Sequence, residues 1–177
     1  MVLEMETEIH QRYRSIRRGL LQGTPITVLH IGEQETAIAS GAGAEPETVL
    51  LLAIGSHRTS ARFFMHTPPT PGEIENAIMQ VEDEVTRARE MIAGHSTLLT
   101  LDTSIREIAH IASGRDISTL QLSIDAVEQV FSLLASYSLG RPVSGSDISG
   151  NPAFAATLLI LREFMHHLRF SSITVTV

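Results

Sequence analysis

Apolar residues in the first 22 positions fall three or four apart, at Val2, Met5, Ile9, Tyr13, Ile16 and Leu20. That spacing predicts an amphipathic helix over 1–22 with a narrow apolar stripe. Glu4, Glu6 and Glu8 stand near its start and Arg12, Arg14, Arg17 and Arg18 near its end, the order that complements a helix dipole. These arginines read as a solvated face rather than an anion-binding patch. After Gly23-Thr24-Pro25 the pattern changes, and Ile26–Ile31 and Thr36–Ala39 read as two strands joined by a polar turn. Thr48–Ile54 is a third strand, and Arg62–His66 reads as a fourth extended segment, so the region is expected to be an antiparallel meander or a pair of hairpins.

Thr70-Pro71-Gly72-Glu73 has the form of a helix start, with an N-cap Thr and Glu three residues on. Ile74, Ala77, Ile78, Val81, Val85, Ala88 and Ile92 carry the period to 92, and Asp83 and Arg87 form an i,i+4 pair on the wet face. Thr97–Leu101 predicts a short buried strand, Ser104–Glu107 a capped helix to about Ile111, and a loop then runs to Leu122. Ser123 caps a helix through Tyr137, Gly140–Gly150 is a loop, and Asn151-Pro152 opens a nearly all-apolar helix to Leu168, packed on both sides. Ser172–Val177 is a closing strand, which suggests that further chain follows it. The order β-β-β-α-β-α-α-α-β implies one mixed sheet with helices on its faces and parallel pairing in its second half. The expected division is an N-terminal helix, 1–22, and one α/β lobe, 23–177.

Composition narrows the chemistry. The 177 residues are 43% hydrophobic and 19% charged, enough for one packed domain. Aromatics are only 5%, so the core is aliphatic. A net charge of −7 argues against nucleic acid or an anionic membrane as partner. No apolar run approaches the roughly 20 residues of a membrane span, and the acidic start is unlike a secretory leader. A cytoplasmic protein is expected. There is no Cys, and all 13 basic residues are Arg, which excludes thiol nucleophiles, P-loop lysines and Schiff-base lysines.

The turn Gly32-Glu33-Gln34-Glu35 lies where a hairpin can gather backbone amides around an anion, but it has one Gly and two carboxylates. It reads as an acidic surface turn, because a carboxylate repels phosphate unless a cation intervenes. His30 with Glu33 and Glu35 is at best a weak metal site. His166 and His167 point about 100° apart on their helix, so they cannot share one ion from that segment. No metal site is assigned. No H-E-x-x-H, G-x-S-x-G or G-x-G-x-x-G is present, so no residue is assigned a catalytic role.

The segments TVLHIGEQETAIASG, PETVLLLAIGSHRTSARFF and PPTPGEIENAI, followed by TLDTSIREIA, LSIDAVEQVFSLLASYSLGRP and AFAATLLILREFMHHL, resemble the exopolyphosphatase/guanosine pentaphosphate phosphatase (Ppx/GppA) family. The likeness is to the second lobe of that family's actin-like catalytic module and covers about residues 14–177. It implies a single actin-like ATPase (ribonuclease H-like) lobe. The family reads D-I-G-G-G-S-T-E on its first hairpin, L-G-A-V-R-L-T-E on the next strand, and G-T-G-G-T-x-R-x-L-A before a helix. In this chain His30 replaces the Asp, and Glu33, Gln34 and Glu35 follow the retained Gly32. Thr36 and Arg58 are kept, and the second loop has Thr100, Asp102 and Thr103 for its glycines, with Ser104 and Arg106 retained. The family's first lobe, with its catalytic Glu, has no counterpart.

The family's reaction resembles attack of water on a terminal phosphoryl group, with a divalent cation and a carboxylate base. Losing two loops of amides removes most of the preorganised charge stabilisation. The chain alone is therefore expected to have no phosphatase activity and to serve as a regulatory, ligand-sensing or dimerising module. The alternatives are a partial lobe of an active exopolyphosphatase/pppGpp phosphohydrolase, or a likeness of architecture alone. If phosphate binds, Gly32, Thr36, Arg58, Ser104 and Arg106 are the candidates, Mg the cation if any phosphate chemistry survives, and polyphosphate or a phosphorylated nucleotide the ligand. The other reading of both arginines is an ion pair with a neighbouring carboxylate. An isolated lobe exposes what a partner lobe would cover, so a homo-oligomer or a missing partner lobe is expected.

Overall fold

The apolar runs form six strands: β1 (Ile26–Ile31), β2 (Thr36–Gly41), β3 (Thr48–Leu52), β4 (Thr97–Thr100), β5 (Leu120–Ser123) and β6 (Ser172–Val175). The computed structural model describes residues 2–92, 95–113, 120–141 and 148–176. Part of the expected loops (114–119 and 142–147) and the last residue of the closing strand, Val177, therefore lie outside the described residues. The strands make one sheet in the order β3-β2-β1-β4-β6-β5. β1–β2 and β2–β3 are antiparallel hairpins, and β1–β4 and β4–β6 are parallel. β5 runs antiparallel along β6, so the mixed sheet has an antiparallel edge beyond its parallel centre.

The helices are α1 (Val2–Arg17), α2 (Ser56–Phe63), α3 (Pro71–Thr86), α4 (Thr103–Ser113), α5 (Ile124–Ser138) and α6 (Pro152–His167). On one face of the sheet α1 buries Ile9, Tyr13 and Ile16 against Ile26, Val28, Ala37, Ala39 and Leu99. The other helices join the larger core on the opposite face, with α6 touching α2, α3, α4, α5 and β1. Its buried run Ala155–Leu161 is continuous because neighbours surround it, as an all-apolar helix requires. Thr70, Ser123 and Asn151 cap their helices as expected, accepting the N–H of Glu73 (3.2 Å), Ala126 (3.1 Å) and Ala153 (2.8 Å). Each such cap contributes about 1 kcal/mol.

Four expectations are corrected. Arg62–His66 is not a strand: 56–63 is helix α2, whose first amides donate to Gly32 and Glu33 carbonyls across the chain. Its buried residues, Thr59 and Ser60, are small and let it lie against α6, so tertiary caps and packing override the local β-propensity of the phenylalanines. The helix from Pro71 ends at Thr86, not Ile92, and the N–H groups of Arg87, Ala88, Arg89 and Met91 turn to carbonyls three residues back. This tighter winding keeps Ala88 inside. The expected loop before Leu122 contains β5, whose four residues are too few to show a period; Leu120 and Leu122 face the core and Gln121 and Ser123 face out. Arg87 pairs with Glu84 at 2.9 Å rather than with Asp83.

Candidate functional site

At the ends of β1 and β4 the chain turns twice, and the two turns with α1 enclose a cavity of about 530 Å³. Glu8, Arg12, His30, Gly32, Asp102 and Ser104 are among its lining residues. In the β1–β2 turn, Gly32 donates its N–H to the Glu35 carbonyl at 2.9 Å and accepts from Ser56 N–H at 2.9 Å. The Glu33 carbonyl accepts from His57 and Arg58 N–H at 2.9 and 3.0 Å. The first-turn amides of α2 are thus taken up by the hairpin. The turn needs Gly32, because a Cβ there would stand 2.7 Å from the Met5 methyl and 2.8 Å from the Glu35 carbonyl oxygen.

Thr100, at the end of β4, donates its hydroxyl to the Leu29 carbonyl (2.9 Å) and accepts Asp102 N–H (3.1 Å). Asp102 stands at the N-cap position of α4, its carbonyl accepting from Arg106 N–H. The helix begins at Thr103, so Ser104 is in its first turn rather than at its cap. The buried Asp102 carboxylate reaches sideways instead. Oδ2 accepts Ile31 N–H at 2.7 Å, and Oδ1 meets His30 Nδ1 at 2.7 Å and accepts Arg12 Nη1 at 3.0 Å. Arg12 also donates through Nε (3.0 Å) and Nη2 (2.7 Å) to Glu8, which lies 3.6 Å from His30 Nε2. The hydrogen bond from Arg12 is the main reason that the Glu8 carboxyl titrates below its ordinary value; partial burial opposes it, and the charges of His30 and Arg12 add to it.

The structure scatters the five candidate phosphate-binding residues. Gly32 and Ser104 line the cavity. Thr36 is buried and gives its hydroxyl to the Ile54 carbonyl at 2.9 Å. Arg106 donates to the Thr176 carbonyl at 3.1 Å, tying α4 to the end of β6. Arg58 is exposed on α2 and has no ion pair among the described residues. His30 faces Asp102 and Glu8, not Glu33 and Glu35. Arg12, read from sequence as part of a solvated face, is three-quarters buried between two carboxylates. The i,i+4 spacing of Glu8 and Arg12 was a visible signal, but their convergence on Asp102, 90 residues away from Arg12, was not.

The donor set does not suit Mg²⁺. The Arg12 guanidinium already bridges Glu8 and Asp102, and both Asp102 oxygens hold hydrogen bonds, so the place a divalent cation would need is filled by a fixed positive charge.

An antiparallel three-stranded start, a parallel centre and helices on both faces make a mixed α/β lobe with the fold of solved Ppx/GppA structures. The fold is shared with the PPX-GPPA enzyme of Aquifex aeolicus at a TM-score of 0.79 and 18% identity, over 97% of this chain and 59% of that one. An exopolyphosphatase from Cytophaga hutchinsonii matches at 0.73 and 15% identity, over 98% and 59%. An exopolyphosphatase-like protein matches at 0.74 and 15%, over 98% and 62%. The chain thus spans about three fifths of the length of these solved relatives. No family model and no curated protein matches it by sequence. Among the described residues, no helix is long and apolar enough to cross a membrane.

Proposed function

We propose that this chain is a Ppx/GppA-related lobe whose phosphate site is closed by its own carboxylate, and that it acts in the cytoplasm as a regulatory, ligand-sensing or dimerising module without phosphatase activity of its own. The observation that carries this reading is the seat of Asp102: a backbone amide at the end of β1, an imidazole and a guanidinium all converge on it. Those are the donors an anion would recruit, and the anion they hold is part of the protein. A second reading, a partial lobe of a working exopolyphosphatase or pppGpp phosphohydrolase, is favoured by the three-fifths span and by the exposed Arg58 beside the hairpin.

The test is calorimetric titration with short-chain polyphosphate, with and without magnesium, beside a phosphate-release assay and sedimentation of the free protein. No release of phosphate is expected. Saturable binding that Arg58→Ala abolishes assigns ligand sensing; flat heats with a concentration-dependent dimer assign the scaffold role. Release of phosphate by the chain alone overturns the proposal.

A further inference from the structure

Away from the cleft, a carboxylate and an imidazole one turn apart on α6 meet a second carboxylate from α3. His167 Nε2 lies 3.0 Å from Glu163 Oε2 and 3.2 Å from Glu82 Oε1. All three donor atoms fall within 4.8 Å of one another. The spacing Glu163–His167 puts both side chains on one face of the helix. Thr157, on the cleft wall, precedes this pair on α6 by about 9–15 Å along the helix axis.

Two features suit the cluster to a metal ion. The first is distance. With zinc bonds of about 2.0–2.2 Å in tetrahedral geometry, neighbouring donor atoms stand about 3.3–3.6 Å apart. At 3.0 and 3.2 Å the separations from His167 are hydrogen-bond distances a few tenths of an ångström short of that edge, so the groups need spread only slightly to take an ion. The second is support. Glu163 Oε1 accepts Arg162 Nη1 at 2.7 Å; Arg162 Nε is held by Glu128 at 3.0 Å, and its guanidinium lies 4.2 Å from the Phe131 ring centroid. That chain of contacts anchors one oxygen of a buried carboxylate and leaves the other turned toward His167, the outer-shell arrangement that metal ligands use. In a purely hydrogen-bonded cluster, a single Nε2–H serves two carboxylates. A divalent cation would satisfy all three donors together. The Glu82 side chain, 44% exposed, leaves a path for the ion to enter.

We propose that Glu82, Glu163 and His167 form a three-ligand site for a divalent transition-metal ion, best matched by zinc, that ties α3 to α6 and leaves a fourth position for water. One nitrogen with two oxygens favours zinc over magnesium or calcium, which take oxygen donors in larger number. The site stands independently of the cleft and of the function proposed for it.

The experiment uses tag-free, chelator-treated protein titrated with Co²⁺ and then Zn²⁺. The expected result is one equivalent of Co²⁺ with the visible absorption of a tetrahedral ion, bleached by Zn²⁺. Glu82→Gln is an exposed change that leaves the core intact and should weaken binding by about tenfold or more, since even outer-shell losses cost that much. His167→Ala should remove the band, and His166→Ala, which changes the exposed neighbour, should keep it. Absence of the band, or a band that survives both Glu82→Gln and His167→Ala, overturns the proposal and leaves the cluster a hydrogen-bonded clasp between helices.

Discussion

Ile31 gives its backbone N–H to Asp102 Oδ2 at 2.7 Å, across 71 residues of chain. The bond joins the end of β1 to the start of α4, and the other Asp102 oxygen carries Arg12 from α1. One buried carboxylate therefore fixes three elements around the cavity, and it does so with the groups that would otherwise face a ligand. Asp102→Ala strips the partner from a buried amide and from Arg12, so stability should fall by about 2–3 kcal/mol, read as a lower urea midpoint with unchanged slope. Asp102→Gly should additionally let pyrophosphate raise the thermal midpoint of the variant, an effect absent from the parent chain.

Arg17 is a buried cation (4% exposed) held by oxygens and not by a carboxylate among the described residues. It donates to the carbonyls of Leu21, Thr24 and Gly41 at 3.2, 2.8 and 2.9 Å and to the Tyr13 hydroxyl at 2.9 Å. The fork thereby ties α1 to the end of β2. Arg17→Met should cost about 3 kcal/mol by leaving buried carbonyls unpaired. Arg17→Lys should recover little, because a point-like ammonium cannot reproduce the planar fork. Chemical denaturation of the three proteins checks both statements.

Gly55 and Gly72 differ in what a side chain would meet. A Cβ on Gly55 would lie 2.5 Å from the Glu33 carbonyl oxygen, in the seam where α2 meets the hairpin, whereas one on Gly72, in the first turn of α3, meets nothing within 4 Å. Gly55→Ala should destabilise by about 1–3 kcal/mol through backbone displacement. Gly72→Ala should stabilise by about 0.4–1 kcal/mol by restricting the unfolded chain. Opposite shifts in thermal midpoint are the expected readout.

The Glu8 carboxyl titrates below its ordinary value of 4.5, chiefly through its hydrogen bond from Arg12. A depressed folded-state value means that its contribution is complete above the unfolded value and is lost as pH falls through the folded one. The contribution of the Glu8–Arg12 pair within α1, and of its charge beside His30, should therefore be lost on acidification below about pH 4.5, and Glu8→Gln should flatten that part of the stability profile. Amide exchange of α1 as a function of pH measures it.

Most helix starts were legible because they are local. Thr70, Ser123 and Asn151 cap with their own side chains within three residues, and Pro71 and Pro152 follow two of them. The first hairpins and the buried α6 were legible for the same reason, since period and apolar length are properties of a short window. Helix α2 was not, because what caps it is the carbonyl pair of Gly32 and Glu33, brought from another turn. Nor was β5, whose identity as a strand depends on pairing with Ser172–Val175 some 50 residues on.

The same division holds at the cleft and at the α3–α6 cluster. The sequence by itself determined the lobe: its aliphatic core, its order of elements apart from α2 and β5, and the replacement of loop glycines by larger or charged residues. Only the tertiary structure decided what those replacements do. Asp102, His30 and the Glu8–Arg12 pair lie on three different segments and acquire a joint meaning when the sheet closes, as do Glu82, Glu163 and His167 when α3 packs on α6. The reason is physical. A carboxylate's partner is whichever donor the fold brings within about 3 Å, and that distance is not written in any stretch of chain short enough to carry a pattern.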